Sequence, residues 1–524
     1  MRQKRRLDWF LAGLMALAAF FLFYDLGGRS LWEDEAETAL LAQSVLRTGL
    51  PIAFDGINVV STEGERAFDG RFLWRWSPWS QFYAAAASMR VMGVTSAGAR
   101  AIFALMGLLC VPALYWLALE LFQSQAIARL SAFYLVFAVP FILHSRQARW
   151  YSAAFLLVIP TTAFFIILGR GRRFLAGFII SAILLFYTNY LVAIALVAAL
   201  CGALPLLGTE RPRWKTLAAA VGVVGVAAVP GWVFFQVLGK SEPFSLARFC
   251  GAIWFYVGCF LTFMVPATLL ALLAGARSDA TARRRAMFLL AVCGLYGAAL
   301  SLAPVRMFRY LYALVPLACV LNAVGTQWLM SRNRAMGLAL AGVLAFTSLL
   351  HRAPLGWFGA SGARTADFFP SLGPVSFPAA GLLYELTHRF SGADGRIAEY
   401  LREHAAPGDV VLATGEDLPL QFYTGLKVVG GFQGRALAAD PDWIVIHPWI
   451  LSREPGKDYD VARFIDSRID LSAYQEVSIG PDYLLENNAD PAYHLFKEPP
   501  SGRRLLFLRR AIRKPLQAAP VRPG

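Results

Sequence analysis

An acidic run just beyond the first apolar segment is the part of the sequence best suited to chemistry. Glu33, Asp34, Glu35 and Glu37 lie within five positions of one another. A carboxylate beside hydrocarbon costs free energy, so a cluster at a membrane face indicates a function. Partial burial and a like-charged neighbour raise the proton affinity of a carboxylate, which suits Asp34 to accept a proton from a hydroxyl group. The alternative is a solvated helix start that interacts favourably with the helix dipole.

Arginines in two loops on the same predicted face form a second set of candidates. The loops hold these arginines and the ring side chains beside them: His144, Arg146, Arg149, Tyr151, Arg306, Arg309 and Tyr310. The planar fork of arginine binds phosphate oxygens in pairs and keeps its charge. These residues could therefore clamp a phosphate whose lipid tail stays in the bilayer. Snorkelling of the arginines to lipid headgroups is the alternative.

A metal site and an aromatic belt are further interpretations of this face. His144 and the carboxylates could together bind a divalent cation, although no spacing enforces it and an interfacial histidine commonly makes a structural hydrogen bond. Asn189 and Tyr190 end another outward turn. They could line the same cavity or belong to an interfacial aromatic belt. The sequence does not determine whether a metal ion binds, and it identifies no cofactor with certainty.

The composition places the chain among membrane proteins. It has 524 residues, of which 57% are hydrophobic, with a mean hydropathy of +0.52 and a net charge of +15. Such an apolar chain is not an ordinary soluble protein. The positive charge is typical of cytoplasmic loops, and no nucleic-acid-binding module is recognisable. All six cysteines fall in apolar segments, so the sequence predicts neither a disulfide framework nor a CxxC site.

Apolar segments of about 20 residues predict about eleven transmembrane helices. They lie near 9–26, 98–122, 128–144, 150–169, 174–188, 190–207, 215–238, 247–275, 286–303, 310–330 and 335–351. With the N-terminus inside, nearly every basic cluster falls in an inner loop, as the positive-inside rule requires. The short apolar segment 79–93 is predicted to be an amphipathic surface helix, because a further span there would turn the arginine-rich loops outward. The first segment is interpreted as a retained span rather than a cleaved signal peptide.

The predicted domain organisation follows from this topology. Residues 1–351 form a transmembrane domain whose first outer loop is 27–97, and residues 352–390 form a linker rich in Gly, Pro and Ser. Helices that alternate with short apolar strands predict a small extracytoplasmic α/β domain at 391–513, followed by a disordered tail at 514–524. Its expected helix and strands lie at 394–404, 410–413, 426–429, 443–446 and 504–508.

Five segments, in order along the chain, resemble motifs of the polytopic GT-C glycosyltransferases, in the bacterial branch related to protein O-mannosyltransferases and to the aminoarabinose transferase of lipid A. They are Leu31–Ala36, Pro78 with Gly98–Arg100, Ser145–Tyr151, Tyr187–Tyr190 and Arg309–Leu311 with Pro316. The resemblance covers roughly residues 9–330. It implies a polyprenyl-phosphate-linked sugar as donor, transfer on the outer face with inversion at the anomeric carbon, and Asp34 as the base. Gly415–Tyr423 also resembles a segment in the tails of such enzymes, without an attached chemical role.

Three positions depart from the family pattern. Gln147 stands where the family usually has a glutamate, and Asn189 replaces a common histidine. Residues 75–79 replace the Lys-Pro-Pro-like segment of the aminoarabinose branch, which argues against a lipid A acceptor. The neutral amide of Gln147 argues against a metal ion bound there.

The combined interpretation is an inverting glycosyltransferase in the bacterial cytoplasmic membrane, acting on a lipid, glycan or protein hydroxyl. Asp34 takes the hydroxyl proton, and the oxygen attacks the anomeric carbon. Arg309, helped by Arg306 and Arg149, stabilises the departing lipid phosphate. Glu35 holds sugar hydroxyls or orients the first loop. A lipid-linked-sugar flippase, which would carry its charges mid-span, and a surface-polysaccharide polymerase or ligase remain alternatives.

The topology predicts that positions 34 and 309 both face the non-cytosolic side. In a background without the six native cysteines, Asp34→Cys and Arg309→Cys should react with a membrane-impermeant maleimide in intact spheroplasts. The control Arg172→Cys, in a predicted inner loop, should react only after lysis. Labelling of positions 34 and 309 from opposite sides would contradict the topology.

Overall fold

The computed structural model describes most of the chain. The described residues are 8–210, 212–240, 243–264, 271, 280–303, 307–350, 377–388, 392–430, 440–447, 460–482, 494, 496–497 and 503–511. The chain divides into two compact units. The first unit is drawn from Met1–Gly28, Arg75–Arg389 and Asn488–Lys497, and the second from Arg29–Trp74, Phe390–Asn487 and Glu498–Gly524.

The described part of the first unit is helical. In chain order, with α2 assigned to the second unit, its helices are α1 (Trp9–Phe23), α3 (Ser80–Met92), α4 (Ser96–Phe122), α5 (Gln125–Phe137), α6 (Val139–Ser145), α7 (Tyr151–Ile167), α8 (Arg172–Phe186), α9 (Tyr190–Ala203), α10 (Trp214–Phe234), α11 (Leu246–Met264), α12 (Ala280–Leu300), α13 (Phe308–Leu311), α14 (Val315–Arg332), α15 (Arg334–Phe346) and α16 (Pro378–Thr387).

Local sequence explains where many of these helices begin. A polar side chain at the N-cap accepts a hydrogen bond from a backbone N–H that has no partner within the helix. Five helices of the first unit begin in this way, at Asp8, Thr95, Ser124, Asn189 and Asn333. The helix α3 lies where the sequence predicts a short helix at 79–93.

Each of the eleven predicted membrane segments contains a helix. By length and composition, four helical stretches in the described residues could cross a membrane: Ser96–Phe122, Tyr190–Gly208, Trp214–Phe234 and Phe308–Arg332. A bent pair, α5 with α6, would make a fifth. Shorter apolar helices occur at Trp9–Phe23, Tyr151–Ile167, Leu246–Phe260 and Arg334–Phe346. The chain is therefore a multi-pass membrane protein, and the number eleven stays a prediction.

The predicted span at 128–144 is not one straight helix. It is broken between α5 and α6, whose axes differ by 63°. Pro140 lies in the first turn of α6. Proline has no backbone N–H and its ring clashes with the preceding turn, so α5 cannot continue through it. The break redirects α6, which carries His144 in its last turn.

The second unit contains a mixed five-stranded sheet and four described helices. The helices are α2 (Glu33–Thr48), α17 (Ala393–His404), α18 (Asp417–Thr424) and α19 (Asp460–Arg468). The strands are β1 (Val410–Ala413), β2 (Lys427–Gly430), β3 (Trp443–Ile446), β4 (Tyr474–Glu476), β5 (Pro481–Asp482), β6 (Arg503–Arg504) and β7 (Leu506–Arg510). The sheet order is β2-β1-β3-β7-β4, while β5 and β6 form a separate pair.

Alternation of side chains gives the sheet two apolar faces. The strand β1 pairs in parallel with β2 and β3, whereas β7 is antiparallel to β3 and β4. On one face, Trp443 stacks on Phe507 with ring centroids 5.6 Å apart, and Ile397 of α17 packs against them. On the other face, Ile444 packs with Ile465 of α19. Because both faces are covered, the inner strands β1 and β3 are apolar along their whole length.

Residues 29–74 belong to the same compact unit as this sheet. Asn58 joins the two parts of the chain, and its side chain is only 4% exposed. Its Nδ2 donates to the carbonyl oxygen of Leu426 at 2.8 Å, and its Oδ1 accepts from the N–H of Val428 at 2.9 Å. One amide thereby satisfies two backbone groups at the edge strand β2.

Replacing Asn58 should destabilise the second unit. Asn58→Ala removes both bonds, one to the part-buried carbonyl of Leu426 and one from the buried N–H of Val428, which costs about 2 kcal/mol in total. Asn58→Asp keeps the acceptor for Val428 but places a carboxylate oxygen against the Leu426 carbonyl, so it should also destabilise the unit while protecting the Val428 amide better than Ala does. The measurement is hydrogen exchange at Val428 together with the thermal midpoint in detergent. Unchanged exchange at Val428 in Asn58→Ala would contradict the assigned bond.

Candidate active site

An arginine and five ring side chains form a connected cluster in the first unit. We call it the Arg309 cluster, and it consists of His144, Trp150, Tyr151, Arg309, Tyr310 and Tyr312. Nη1 of Arg309 donates to the Tyr151 hydroxyl at 3.2 Å, and Nε lies 3.1 Å from Sδ of Met307. The structure thus brings together four residues that the sequence proposed from separate loops: His144, Tyr151, Arg309 and Tyr310.

The rings of the cluster pack edge to face or stack. The ring centroid of His144 lies 4.8 Å from that of Tyr151 and 4.7 Å from that of Tyr312. Trp150 contacts Tyr151 at 4.5 Å and stacks on Tyr310 at 5.6 Å with an interplanar angle of 15°. Such packing restricts each ring, so Arg309 contacts a fixed hydroxyl rather than a mobile one.

The break at Pro140 also fixes the state of His144. Nδ1 of the imidazole lies 2.7 Å from the carbonyl oxygen of Pro140. A carbonyl can only accept, so Nδ1 carries a proton and Nε2 is the nitrogen that can accept in the neutral ring. The cluster therefore combines a fixed cation, phenolic hydroxyls and an imidazole, which suits the binding of an anionic group with hydroxyl-bearing substituents.

The other predicted arginines have different environments. Nη1 and Nη2 of Arg146 donate to four carbonyl oxygens at the end of the first helix and beyond it, those of Phe21, Leu22, Tyr24 and Asp25. A cation suits this position because the last carbonyls of a helix have no partners within it. Arg149 is half-buried in the turn before α7. Arg306 lies outside the described residues.

Asn189 and Tyr190 lie at the start of α9. Oδ1 of Asn189 accepts from the N–H of Val192 at 3.1 Å, so this side chain caps the helix. The Tyr190 hydroxyl lies 3.4 Å from Nζ of Lys240. Nζ of Lys240 also donates to the carbonyl oxygen of Trp76 at 2.6 Å and lies 4.5 Å from the Trp76 ring centroid.

Lys240 is a candidate that the sequence analysis missed. It follows α10 on the predicted outer side, where the positive-inside rule does not expect a cation. The same argument that selected the outer arginines applies to it. Its contacts with Trp76 and Tyr190 place a second cation beside the aromatic residues of the first unit.

The acidic run begins α2, in the second unit, with Glu33, Asp34 and Glu35 in the first turn. Glu33 and Glu35 are 5% and 0% exposed, whereas Asp34 is half-buried. The backbone oxygen of Asp34 accepts from Oγ1 of Thr38 at 3.2 Å, and the Glu37 carboxylate accepts from Oγ1 of Thr62 at 2.8 Å. Asp34 is therefore the least buried of these four acids.

Glu33 is surrounded by other acids. Oε2 of Glu33 accepts from the N–H of Leu418 at 3.3 Å, and the N–H of Glu33 donates to Oε2 of Glu416 at 3.0 Å. Burial, then the negative charges of Asp417 and Glu416, raise the pKa of Glu33 well above its ordinary value, while the bond from Leu418 opposes them. These surroundings favour the protonated form of Glu33 over the charged one.

A metal-binding cluster is not found in the part of the chain that the structure describes. No group of three His, Cys, Asp or Glu side chains there has an arrangement that could hold a metal ion. The sequence proposed that His144 and the carboxylates could bind a divalent cation. His144 belongs to the first unit and the acidic run to the second.

The fold is similar to that of ArnT from Cupriavidus metallidurans. The apo structure of ArnT matches with a TM-score of 0.60 and 15% sequence identity, covering 95% of this chain and 97% of ArnT. The structure of ArnT bound to undecaprenyl phosphate matches with a TM-score of 0.57 and 14% identity, covering 96% and 98%. The likeness confirms the GT-C type of fold predicted from the sequence.

No family model and no curated protein sequence matches the chain. The likeness to ArnT extends over nearly the whole length of both chains, so it includes both compact units. At this sequence identity it is evidence about the fold, and the chemistry must be argued from the residues.

Glu33→Gln should change how stability depends on pH. The pKa of Glu33 is raised in the folded state, so wild type loses stability as pH rises above the unfolded pKa toward the folded one. The amide of Gln can still accept from Leu418 but does not ionise. Within that window, the free energy of unfolding of the variant should rise relative to that of wild type by about 1.4 kcal/mol for each pH unit. The thermal midpoints of the two proteins should converge at low pH. Parallel midpoint curves across this range would contradict the raised pKa.

Proposed function

We propose that the chain is an inverting glycosyltransferase. It moves a sugar from a polyprenyl-phosphate donor to a hydroxyl acceptor at the outer face of the bacterial cytoplasmic membrane. The observation that carries this proposal is the full-length fold likeness to ArnT, which has been solved with undecaprenyl phosphate. The Arg309 cluster supports it from the residues, because it offers a fixed guanidinium beside hydroxyl and imidazole groups.

A lipid phosphate sets particular demands on such a site. It is already a good leaving group, so it needs no proton from an acid. It needs positive charge close to its oxygens as negative charge develops on them in the transition state. We assign this role to Arg309, whose orientation is fixed by Tyr151 and Met307. Arg149 and Arg306 remain proposed helpers, while Arg146 is engaged by backbone carbonyls.

The acceptor hydroxyl needs a base, and we assign this role to Asp34. Its neighbours Glu33 and Glu35 are buried, so Asp34 is the member of this group that can meet a hydroxyl group. Burial of Glu35 favours the second of its two expected roles, orientation of the first loop, over contact with sugar hydroxyls. In the reaction, Asp34 accepts the proton, the acceptor oxygen bonds to the anomeric carbon, and the bond to the phosphate oxygen breaks.

Undecaprenyl phosphate should bind and stabilise the purified protein in an Arg309-dependent way. At a ligand concentration about 100 times the Kd, the free energy of unfolding of wild type should increase by about 2.7 kcal/mol. Arg309→Ala should weaken binding at least about tenfold, because a charge-assisted bond to phosphate is lost. Arg332→Ala, at the predicted inner end of α14, is the matched control. Undecaprenol tests whether the tail alone binds, and equal shifts with both lipids would exclude a phosphate site.

Asp34→Asn should abolish transfer while leaving lipid binding intact. Loss of a general base lowers the rate by about 10²–10⁴-fold. The measurement compares surface glycolipids and glycoproteins by mass spectrometry in a deletion strain complemented with each variant. Asp55→Asn is a matched control, since its Oδ1 still accepts from Ile57 and Asn58. Full activity of Asp34→Asn would refute the assignment, and unchanged glycans in the deletion strain would refute the proposed function.

A further inference from the structure

Two helices of the second unit begin without a capping side chain of their own. In the described structure, neither Trp32 before α2 nor Glu416 before α18 makes a side-chain cap within its own helix. Helix starts normally use Ser, Thr, Asp or Asn for this purpose. The first N–H groups of both helices therefore require acceptors from elsewhere in the chain.

Each of these helices receives its acceptor from the start of the other. The Glu416 carboxylate accepts from the N–H of Glu33 at 3.0 Å, and the Glu33 carboxylate accepts from the N–H of Leu418 at 3.3 Å. Beside this pair, the N–H of Leu31 donates to the Tyr423 hydroxyl at 2.7 Å. We call these three bonds the reciprocal cap.

The conformation of Glu416 shows that the reciprocal cap overrides a local preference. Its φ is +55° and its ψ is +35°, the left-handed region. A residue with a Cβ adopts this region at a cost of free energy, and such strain persists only where surrounding contacts enforce it. The same residue supplies the carboxylate that Glu33 needs. The strained backbone is thus coupled to the start of α2.

The residue that follows Glu33 is Asp34, the proposed base. Asp34 occupies the second position of α2, so its backbone direction depends on whether the first turn of that helix is formed. Loss of the acceptor at Glu416 would let this turn fray, because an uncapped helix start is less stable. The Leu31 bond fixes the chain that enters the turn.

We propose that the segment Glu416–Tyr423 of the C-terminal region is a positioning element for Asp34, acting through the reciprocal cap. This inference rests on the proposed function for the role of Asp34. It assigns a function to residues 415–423, whose resemblance to a segment in the tails of such enzymes carried no chemical role. Glu416 and Tyr423 are positioning residues because they act through the backbone of residues 31–33.

Hydrogen exchange tests the geometry without any substrate. Glu416→Ala should speed exchange of the Glu33 amide, and of the next amides of the first turn, by at least about tenfold, as expected for a lost bond to a charged group. Glu416→Gln keeps an acceptor oxygen and should restore protection. Thr424→Ala is the matched control, because Oγ1 of Thr424 donates to Leu420 within α18 and accepts from Leu426.

Kinetics test the consequence for catalysis. The assay follows release of undecaprenyl phosphate from synthetic undecaprenyl-phosphate hexoses and pentoses, in membranes of the expressing cells. Glu416→Ala and Tyr423→Phe should each lower kcat about tenfold, and the donor KM should stay within about twofold, since the proposal gives both residues a role in placing the base and none in binding the donor. Glu416→Gln should recover most of kcat, and Thr424→Ala should retain it.

The outcomes separate this proposal from the proposed function. If wild type releases no undecaprenyl phosphate from any donor, the function fails, and hydrogen exchange alone decides whether the reciprocal cap orders residues 33–36. If wild type is active but Glu416→Ala keeps both its kcat and its amide protection, the positioning role is overturned. A fall in kcat for Thr424→Ala equal to that of Glu416→Ala would also overturn it, because general destabilisation would then explain both.

Discussion

The exchange of carboxylates between two helix starts is the interaction on which the second unit depends most. Without it, α2 and α18 would each begin with N–H groups that have no acceptor within the helix. The exchange places Glu33 beside Glu416 and Asp417, and burial together with these negative charges raises the pKa of Glu33. Two acidic segments from distant parts of the chain therefore meet at the two helix starts.

Satisfaction of backbone groups explains much of the first unit as well. In hydrocarbon, a carbonyl or N–H without a partner costs several kcal/mol, so each interruption of a helix needs a specific partner. Arg146 supplies donors to the carbonyls at the end of α1, and Asn189 supplies an acceptor at the start of α9. Within α6, the imidazole of His144 donates to the carbonyl oxygen of Pro140. Arg146 and Asn189 lie in segments that resemble motifs of a family, and His144 directly precedes one, yet each also stabilises the fold by bonding to backbone groups.

The sequence was sufficient to predict the helices of the first unit, because apolar length and loop charge are local signals. Segments such as 98–122 and 190–207 agree with the observed helices to within a few residues at most boundaries. The strands at 410–413 and 443–446 were likewise visible as short apolar runs. Pro140 is a local signal for a helix break, but the continuous apolar pattern around it favoured a single span. Lys240, a cation in a predicted outer loop, could have been identified by the charge rule that selected the arginines.

The reciprocal cap could not be predicted in this way. Its three bonds join residues that are 383, 385 and 392 positions apart in the chain. No periodicity or spacing relates such residues, and the only local signal is the lack of a good capping residue at each helix start. The same limitation applies to the contact between Arg309 and Tyr151, which are 158 positions apart. In both cases the sequence supplied the chemical types, and the tertiary structure selected the partners.

The glutamine at position 147 is consistent with a mechanism that uses a single carboxylate base. A glycosidase needs one acid to protonate the leaving oxygen and a second carboxylate to activate or replace water. A phosphate leaving group removes the first requirement, so the loss of a glutamate at 147 does not remove a proton donor that the reaction needs. Cations become the limiting groups, and the first unit holds Arg309 and Lys240 in contact with hydroxyl-bearing aromatic side chains. These contacts agree with the proposed mechanism, in which cations stabilise a phosphate leaving group and one carboxylate serves as base, rather than with a pair of acids.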